Sequence, residues 1–154
     1  MDVSKRKTFL EEHNWKRYFL AGGQPFPDKR HVKYPTAYYD CDLENEAYDI
    51  ARGCDIGRLD FNNVSNNRAA VIGGQHASNF ISKIVHSWWK TALEGGDLVG
   101  LAPSLQNGPM IPFLEMANGK TNRLGCAYHL CSGDSDDDDE EEEQSYLFVC
   151  KYGE

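Results

Sequence analysis

The sequence predicts an α+β fold, and three observations lead to it. Helical periodicity occupies three stretches before residue 94, two β-prone segments come late, and cysteines stand in both regions, at positions 41, 54, 126, 131 and 150. Bridges between those regions would tie a helical layer to a late sheet. At 154 residues the chain reads as one domain, 1–154, long enough to bury a core and carrying an acidic insertion at 132–145.

The elements follow in order. Residues 4–20 predict a first helix, with Phe9, Leu10, His13, Arg17, Phe19 and Leu20 on a mixed apolar face and glycines at 22 and 23 to end it. Three prolines make 24–36 a loop. Leu43 to Cys54 predicts a second helix, with Leu43, Ala47, Ile50, Ala51 and Cys54 at helical spacing. Asp42 is its expected N-cap, and Glu44 and Glu46 lie in its first turn, where the dipole favours anions. The asparagine-rich stretch 55–70 reads as loop with one short edge strand. A third helix is predicted from Gln75 to Leu93, burying Phe80, Ile81, Ile84, Val85, Trp88 and Trp89, and glycines at 95 and 96 stop it. Proline and glycine make 97–112 irregular, and Phe113 to Ala117 is apolar but ambiguous in type. The segments 124–131 and 146–153 then form a hairpin around the acidic run.

Charge is concentrated rather than spread. Asp134, Asp136 to Asp139 and Glu140 to Glu143 supply nine negative charges against a formal net of −8, so the rest of the chain is close to neutral. Like charges at this density predict a solvated segment. No basic stripe is present, which argues against nucleic acid as a partner. No apolar run reaches transmembrane length, and the N-terminus lacks the apolar stretch of a signal peptide. Five cysteines in so small a chain, with no Cys-x-x-Cys, favour disulfides in an oxidising compartment over a zinc ribbon or a redox site. Asn63-Val64-Ser65 is a glycosylation sequon.

Read together, these segments resemble the CAP superfamily, the SCP/TAPS domains of cysteine-rich secretory proteins, antigen 5 and pathogenesis-related 1. The first helix offers His13-Asn14 with Arg17; the second offers Tyr39-Asp-Cys-Asp-Leu-Glu44 continuing to Ala47, Ala51 and Cys54. Ser87-Trp-Trp89, Phe113-Leu-Glu-Met-Ala117, Thr121-Asn-Arg-Leu-Gly-Cys-Ala127 and Phe148-Val-Cys-Lys-Tyr152 follow in the family's order. The Tyr-Asp-Cys variant and the long acidic insert are most similar to the activation-associated secreted proteins of parasitic nematodes, of the neutrophil-inhibitory-factor type. The resemblance implies a three-layer α-β-α sandwich, stabilised by disulfides, and a secreted, extracellular protein.

The resemblance also implies a cleft in which two histidines and two glutamates hold a divalent metal. Zinc needs imidazole nitrogens and carboxylate oxygens converging at about 2.0–2.2 Å. The matching positions carry none of them here. Cys54 is followed by Asp-Ile-Gly-Arg58, the stretch Asn63 to Gly74 has no glutamate, Lys90-Thr91 follows the tryptophan pair, and Pro112 precedes Phe113. Glu115 is the only histidine or glutamate near enough to substitute. The expectation is therefore no metal, no cofactor and no catalytic residue. Elsewhere, His13 reads as a structural histidine, His76 and His86 are too far apart on their helix for a metal pair, and His129 sits on a strand face. Ser87 and Ser104 lack a neighbouring base, and Trp88 and Trp89 read as core.

If the terminal strands pair antiparallel about the acidic run, Cys126 lies opposite Cys150, a register that suits a cross-strand bridge and resembles the family's usual pairing. Cys131 would then join Cys54, leaving Cys41 unpaired, for a partner in a further segment or another molecule. The expected function is that of a secreted, non-enzymatic protein of a parasitic nematode. It would bind a host protein receptor, such as a leukocyte or platelet adhesion receptor, and modulate host responses. The acidic residues Asp136, Asp137, Asp138, Asp139, Glu140, Glu141, Glu142 and Glu143 are the candidate partner-binding loop. The alternative is a sterol or fatty-acid carrier with an apolar groove; a metal-dependent hydrolase is disfavoured by the missing ligands.

Overall fold

The computed structural model describes residues 1–22, 36–55, 66–72, 78–93, 103–131 and 145–154. Helix α1 (Val3–Gly22) is followed by the two-residue strand β1 (Tyr38–Tyr39) and helix α2 (Cys41–Ala51). Strand β2 (Asn66–Ile72) and helix α3 (Ser78–Lys90) come next. Two 3₁₀ segments, Thr91–Leu93 and Leu105–Met110, precede helix α4 (Ile111–Ala117), and the chain closes with β3 (Arg123–Cys131) and β4 (Ser145–Gly153).

The strands form one sheet in the order β1-β3-β4-β2, with β1 parallel to β3 and the other pairs antiparallel. Alternation along β3 and β4 divides the molecule into layers. Ala127, Cys131, Leu147 and Val149 face Ala47 and Ala51 of α2. Leu124, Cys126, Phe148, Cys150 and Tyr152 face Phe9 of α1, Ile81, Ile84, Val85 and Trp88 of α3, and Met116 of α4. The fold is an α+β, α-β-α sandwich.

Helix α2 can approach the sheet closely because position 125 is glycine. A Cβ there would lie 2.2 Å from the Glu44 amide nitrogen and 2.4 Å from the Leu43 carbonyl carbon, so any side chain would drive the first turn of α2 off β3. The other layer is fastened by Arg17, which is buried and donates to the carbonyls of Met116 (2.8 Å), Asn118 (2.9 Å) and Thr121 (2.7 Å). Those carbonyls end α4 and begin the approach to β3, where no helical partner is available.

Several elements differ from the sequence reading. Helix α2 starts at Cys41 and its N-cap is Asp40, not Asp42: the Asp40 carboxylate accepts from the amides of Asp42 (2.8 Å) and Leu43 (3.1 Å). Pairing of Tyr39 with Leu124 keeps the chain extended as far as Tyr39, so Asp40 becomes the cap and the helix runs from Cys41. The helix ends at Ala51 rather than Cys54, whose φ of 50° is left-handed. The stretch 66–72 is a seven-residue edge strand, and Phe113 to Ala117 belongs to a helix that Pro112 opens. Leu20 is exposed, and Trp89 is half-buried against Phe113. Ser145, counted with the insertion in the sequence, is the first residue of β4.

Two disulfides brace the fold, one within the sheet and one between the sheet and the α2 layer. Cys126 and Cys150 face each other in the β3–β4 register and are bridged, with Cα atoms 4.1 Å apart. Cys54 is bridged to Cys131, joining the end of α2 to the end of β3 over a Cα separation of 5.7 Å. In the chain-entropy picture the longer closure is worth about 4.5 kcal/mol and the shorter about 3.5 kcal/mol.

Candidate functional site

Two places qualify by position: the centre of the helical face, where a family cleft would lie, and the end of the sheet from which the acidic insertion departs.

The centre is a closed polar cluster. Nδ1 of His13 lies 2.7 Å from the Phe9 carbonyl, which can only accept, so Nδ1 carries the proton. Nε2 is then an acceptor, and the Tyr152 hydroxyl donates to it at 3.1 Å. The Tyr152 oxygen in turn accepts from Asn67 Nδ2 at 2.9 Å, and the same nitrogen donates to the Pro112 carbonyl at 2.9 Å. Burial holds His13 down to about 4, so the imidazole is neutral at physiological pH. Burial, and after it the charge of Glu115, push the Tyr152 hydroxyl well above its ordinary value.

Among the described residues, Glu115 is the one acid at this centre. It is 3% exposed, Oε1 has no hydrogen-bond partner, and burial pushes its carboxyl up to about 8. Asn67 Oδ1 is likewise buried and unpartnered. The crevice beside them, lined by His13, Arg17, Met116, Thr121, Leu124 and Tyr152, has no room for a water molecule.

These residues do not fit a divalent metal. The Pro112 carbonyl is occupied by Asn67, and Thr91 Oγ1 donates to the Trp88 carbonyl and accepts from the Phe113 amide. Both ring nitrogens of His13 are engaged. Among the described residues no group of three or more His, Cys, Asp or Glu side chains could hold a metal ion. Arg58, Asn63 and His76 lie outside the described residues. Ser87 donates to the Ile84 carbonyl and Ser104 to Asn107 Oδ1, each a local backbone or turn contact.

A second polar network lies at the edge of the sandwich. Arg6 makes two hydrogen bonds of 2.8 Å to the Glu44 carboxylate, and the Tyr39 hydroxyl donates to it at 2.6 Å. Burial alone would raise Glu44, but the Arg6 and Tyr39 hydrogen bonds bring it down to about 2. Cys41, on the first turn of α2, is exposed and unbridged.

The other place is the far end of the sheet. Cys131 and Ser145 are register partners, Ser145 pairs onward with Ile72, and the Ser145 hydroxyl reaches the Cys131 carbonyl at 3.4 Å. The segment between them, with Asp136 to Glu143, lies outside the described residues. Its two attachment points are fixed to each other by the sheet and to α2 by the Cys54–Cys131 bridge. Around them Ile72 is exposed, Leu130 is partly exposed, and Tyr48 stands edge-on to His129 at 5.8 Å.

Nothing in the sequence points to the central cluster as a unit. Asn67 carries no signal in an asparagine-rich stretch. Glu115 does carry one: a lone carboxylate within Ile111-Pro-Phe-Leu-Glu-Met-Ala117 has no polar neighbour to share a surface with.

The comparisons agree with this architecture. The CAP family pattern, described as the cysteine-rich secretory protein family, matches residues 10–152. A secreted protein of the hookworm Ancylostoma caninum is 27% identical over 136 residues, which is 82% of this chain; the chain spans 31% of that relative's length. Among solved structures, hookworm platelet inhibitor superposes with a TM-score of 0.71 at 25% identity, covering 100% of this chain and 71% of its own. NaASP2, solved with Zn²⁺, gives a TM-score of 0.69 at 24% identity, covering 99% of this chain and 80% of its own. By sequence pattern and by fold, the chain belongs to the CAP family of cysteine-rich secretory proteins.

Proposed function

We propose that this chain is a secreted, non-enzymatic protein of a parasitic nematode that binds a host protein, and that the acidic segment Asp136 to Glu143 contributes to that binding. The observation that carries the reading is the anchorage of the segment. Its ends leave from Cys131 and Ser145, which are paired across the sheet, and Cys131 is also bridged to α2. Eight successive carboxylates thus lie, in the chain, between two positions that are tied to each other, in an otherwise near-neutral sequence. Such a field steers a basic surface toward one place on the protein and accelerates encounter.

The likeness to hookworm platelet inhibitor supports a component of host platelets as the class of target. The central cluster supports the non-enzymatic side of the reading, because His13, Tyr152 and Asn67 are committed to one another in a closed interior. The test is affinity capture from host serum and from platelet and leukocyte membranes. It compares the full chain with a variant in which Asp136 to Glu143 is replaced by a Ser/Gly linker. A partner retained by the first and lost by the second is expected; equal recovery by both overturns the role of the segment.

A further inference from the structure

Two buried oxygens at the centre of the molecule have no hydrogen-bond partner, Glu115 Oε1 and Asn67 Oδ1. Both side chains are more than nine-tenths buried. They share one neighbourhood. Asn67 donates to the Tyr152 hydroxyl and to the carbonyl of Pro112, one turn before Glu115 on α4, and the charge of Glu115 is felt at the same hydroxyl. Every other role in the cluster is assigned. The Phe9 carbonyl fixes the proton on His13 Nδ1, His13 Nε2 takes the Tyr152 proton, and the Pro112 carbonyl fixes the orientation of the Asn67 amide. With Glu115 ionised, both remaining oxygens are acceptors and neither satisfies the other. With Glu115 protonated, one of them becomes a donor.

We propose that Glu115 is held as a carboxylic acid whose proton is donated to Asn67 Oδ1, completing a buried chain from Glu115 through Asn67, Tyr152 and His13 to the Phe9 carbonyl, and that loss of this proton loosens the contact between α4, β2 and β4. Burial supports the neutral form of Glu115. Among the described residues, the elements packed around α4 supply no compensating cation directed at it. From α1, His13 is neutral within the chain and Arg17 is spent on the carbonyls of Met116, Asn118 and Thr121. From β4 comes Tyr152. From β2 comes the uncharged Asn67, with Arg68 on the opposite face of the strand. Lys83, His86 and Lys90 of α3 are exposed, and the 3₁₀ segments offer Thr91 and Asn107.

The direction of the effect follows from linkage. A carboxyl whose folded value lies above its unfolded value of 4.5 contributes its full stability below 4.5, and that contribution is lost as pH rises through about 8. The protein therefore carries an alkaline release in its core.

The test is a carboxyl ¹³C NMR titration of the full, disulfide-bonded chain labelled at glutamate, followed together with the side-chain amide ¹⁵N signals of asparagine. One glutamate is expected to titrate near pH 8 while the others titrate in the ordinary acid range, and the Asn67 amide signals should shift with the same midpoint. That titration should vanish in Glu115→Gln, whose melting temperature should no longer fall between pH 6.5 and 9. The proposal is overturned if every glutamate titrates below pH 6, or if the Asn67 signals stay still while Glu115 titrates. Both readouts use the native chain, so a poorly folding Gln variant does not remove the test.

Discussion

The Tyr152 hydroxyl donates to Nε2 of His13 across 3.1 Å, joining the last strand to the first helix at the point where the family cleft would lie. That hydroxyl also accepts from Asn67 and so serves two partners at once. Tyr152→Phe should leave an imidazole nitrogen and an amide hydrogen unsatisfied in the interior. The expected loss is about 1–3 kcal/mol. Denaturant unfolding with the disulfides intact measures it, and a neutral substitution would contradict the assignment of the cluster.

Gly125 permits the contact between α2 and β3. Gly125→Ala places a Cβ 2.2 Å from a backbone nitrogen that cannot move without shifting the whole first turn of α2. A loss of about 3 kcal/mol or more, or failure to secrete a folded protein, is expected. Gly119→Ala is the control: a Cβ there meets nothing within 4 Å, and stability should change little.

His13 and Glu115 give opposite pH dependences. His13 is depressed from 6.5 to about 4 by burial, so the unfolded chain binds more protons between those values and stability is lost as pH falls from 6.5 toward 4. The span corresponds to about 3 kcal/mol. Glu115 is raised from 4.5 to about 8, so its contribution falls as pH rises through that window. Where the windows overlap, between pH 4.5 and 6.5, the two slopes offset each other, and stability should form a plateau there with a decline on either side. Glu115→Gln should remove the alkaline decline and leave the acid one. Unfolding free energy measured from pH 4 to 9 in both proteins tests this.

Cys41 is exposed and unbridged, whereas the other four cysteines are paired in two disulfides. Alkylation of the native protein should modify one thiol, and all five only after reduction and unfolding. Covalent dimers formed on standing in air should disappear in Cys41→Ser.

Much of this architecture is legible in the sequence because each helix shows its face. Ile81, Ile84, Val85 and Trp88 repeat at helical spacing and are buried together, and Leu43, Ala47 and Ala51 do the same for α2. Cysteine placement and strand alternation indicate the β3–β4 register. Sequence and structure diverge where tertiary pairing overrides local propensity. Asn66, Asn67 and Arg68 are poor strand formers, yet pairing with Lys151, Cys150 and Val149 makes them one. Two aspartates flank Cys41, and only the pairing of β1 with β3 selects Asp40 as the cap. The central cluster was hidden for a different reason. Its members come from four elements, α1, β2, α4 and β4, and no spacing in the chain relates residues 13, 67, 115 and 152.

The role proposed for Asp136 to Glu143 is electrostatic capture of a host partner. The most direct measurement is the association rate with the captured partner as a function of salt, for the full chain and for the Ser/Gly replacement of Asp136 to Glu143. Association of the full chain is expected to slow by about tenfold or more between low and physiological salt, and that of the replacement to be slow and salt-insensitive. Equal rates and equal salt dependence for the two proteins would contradict it.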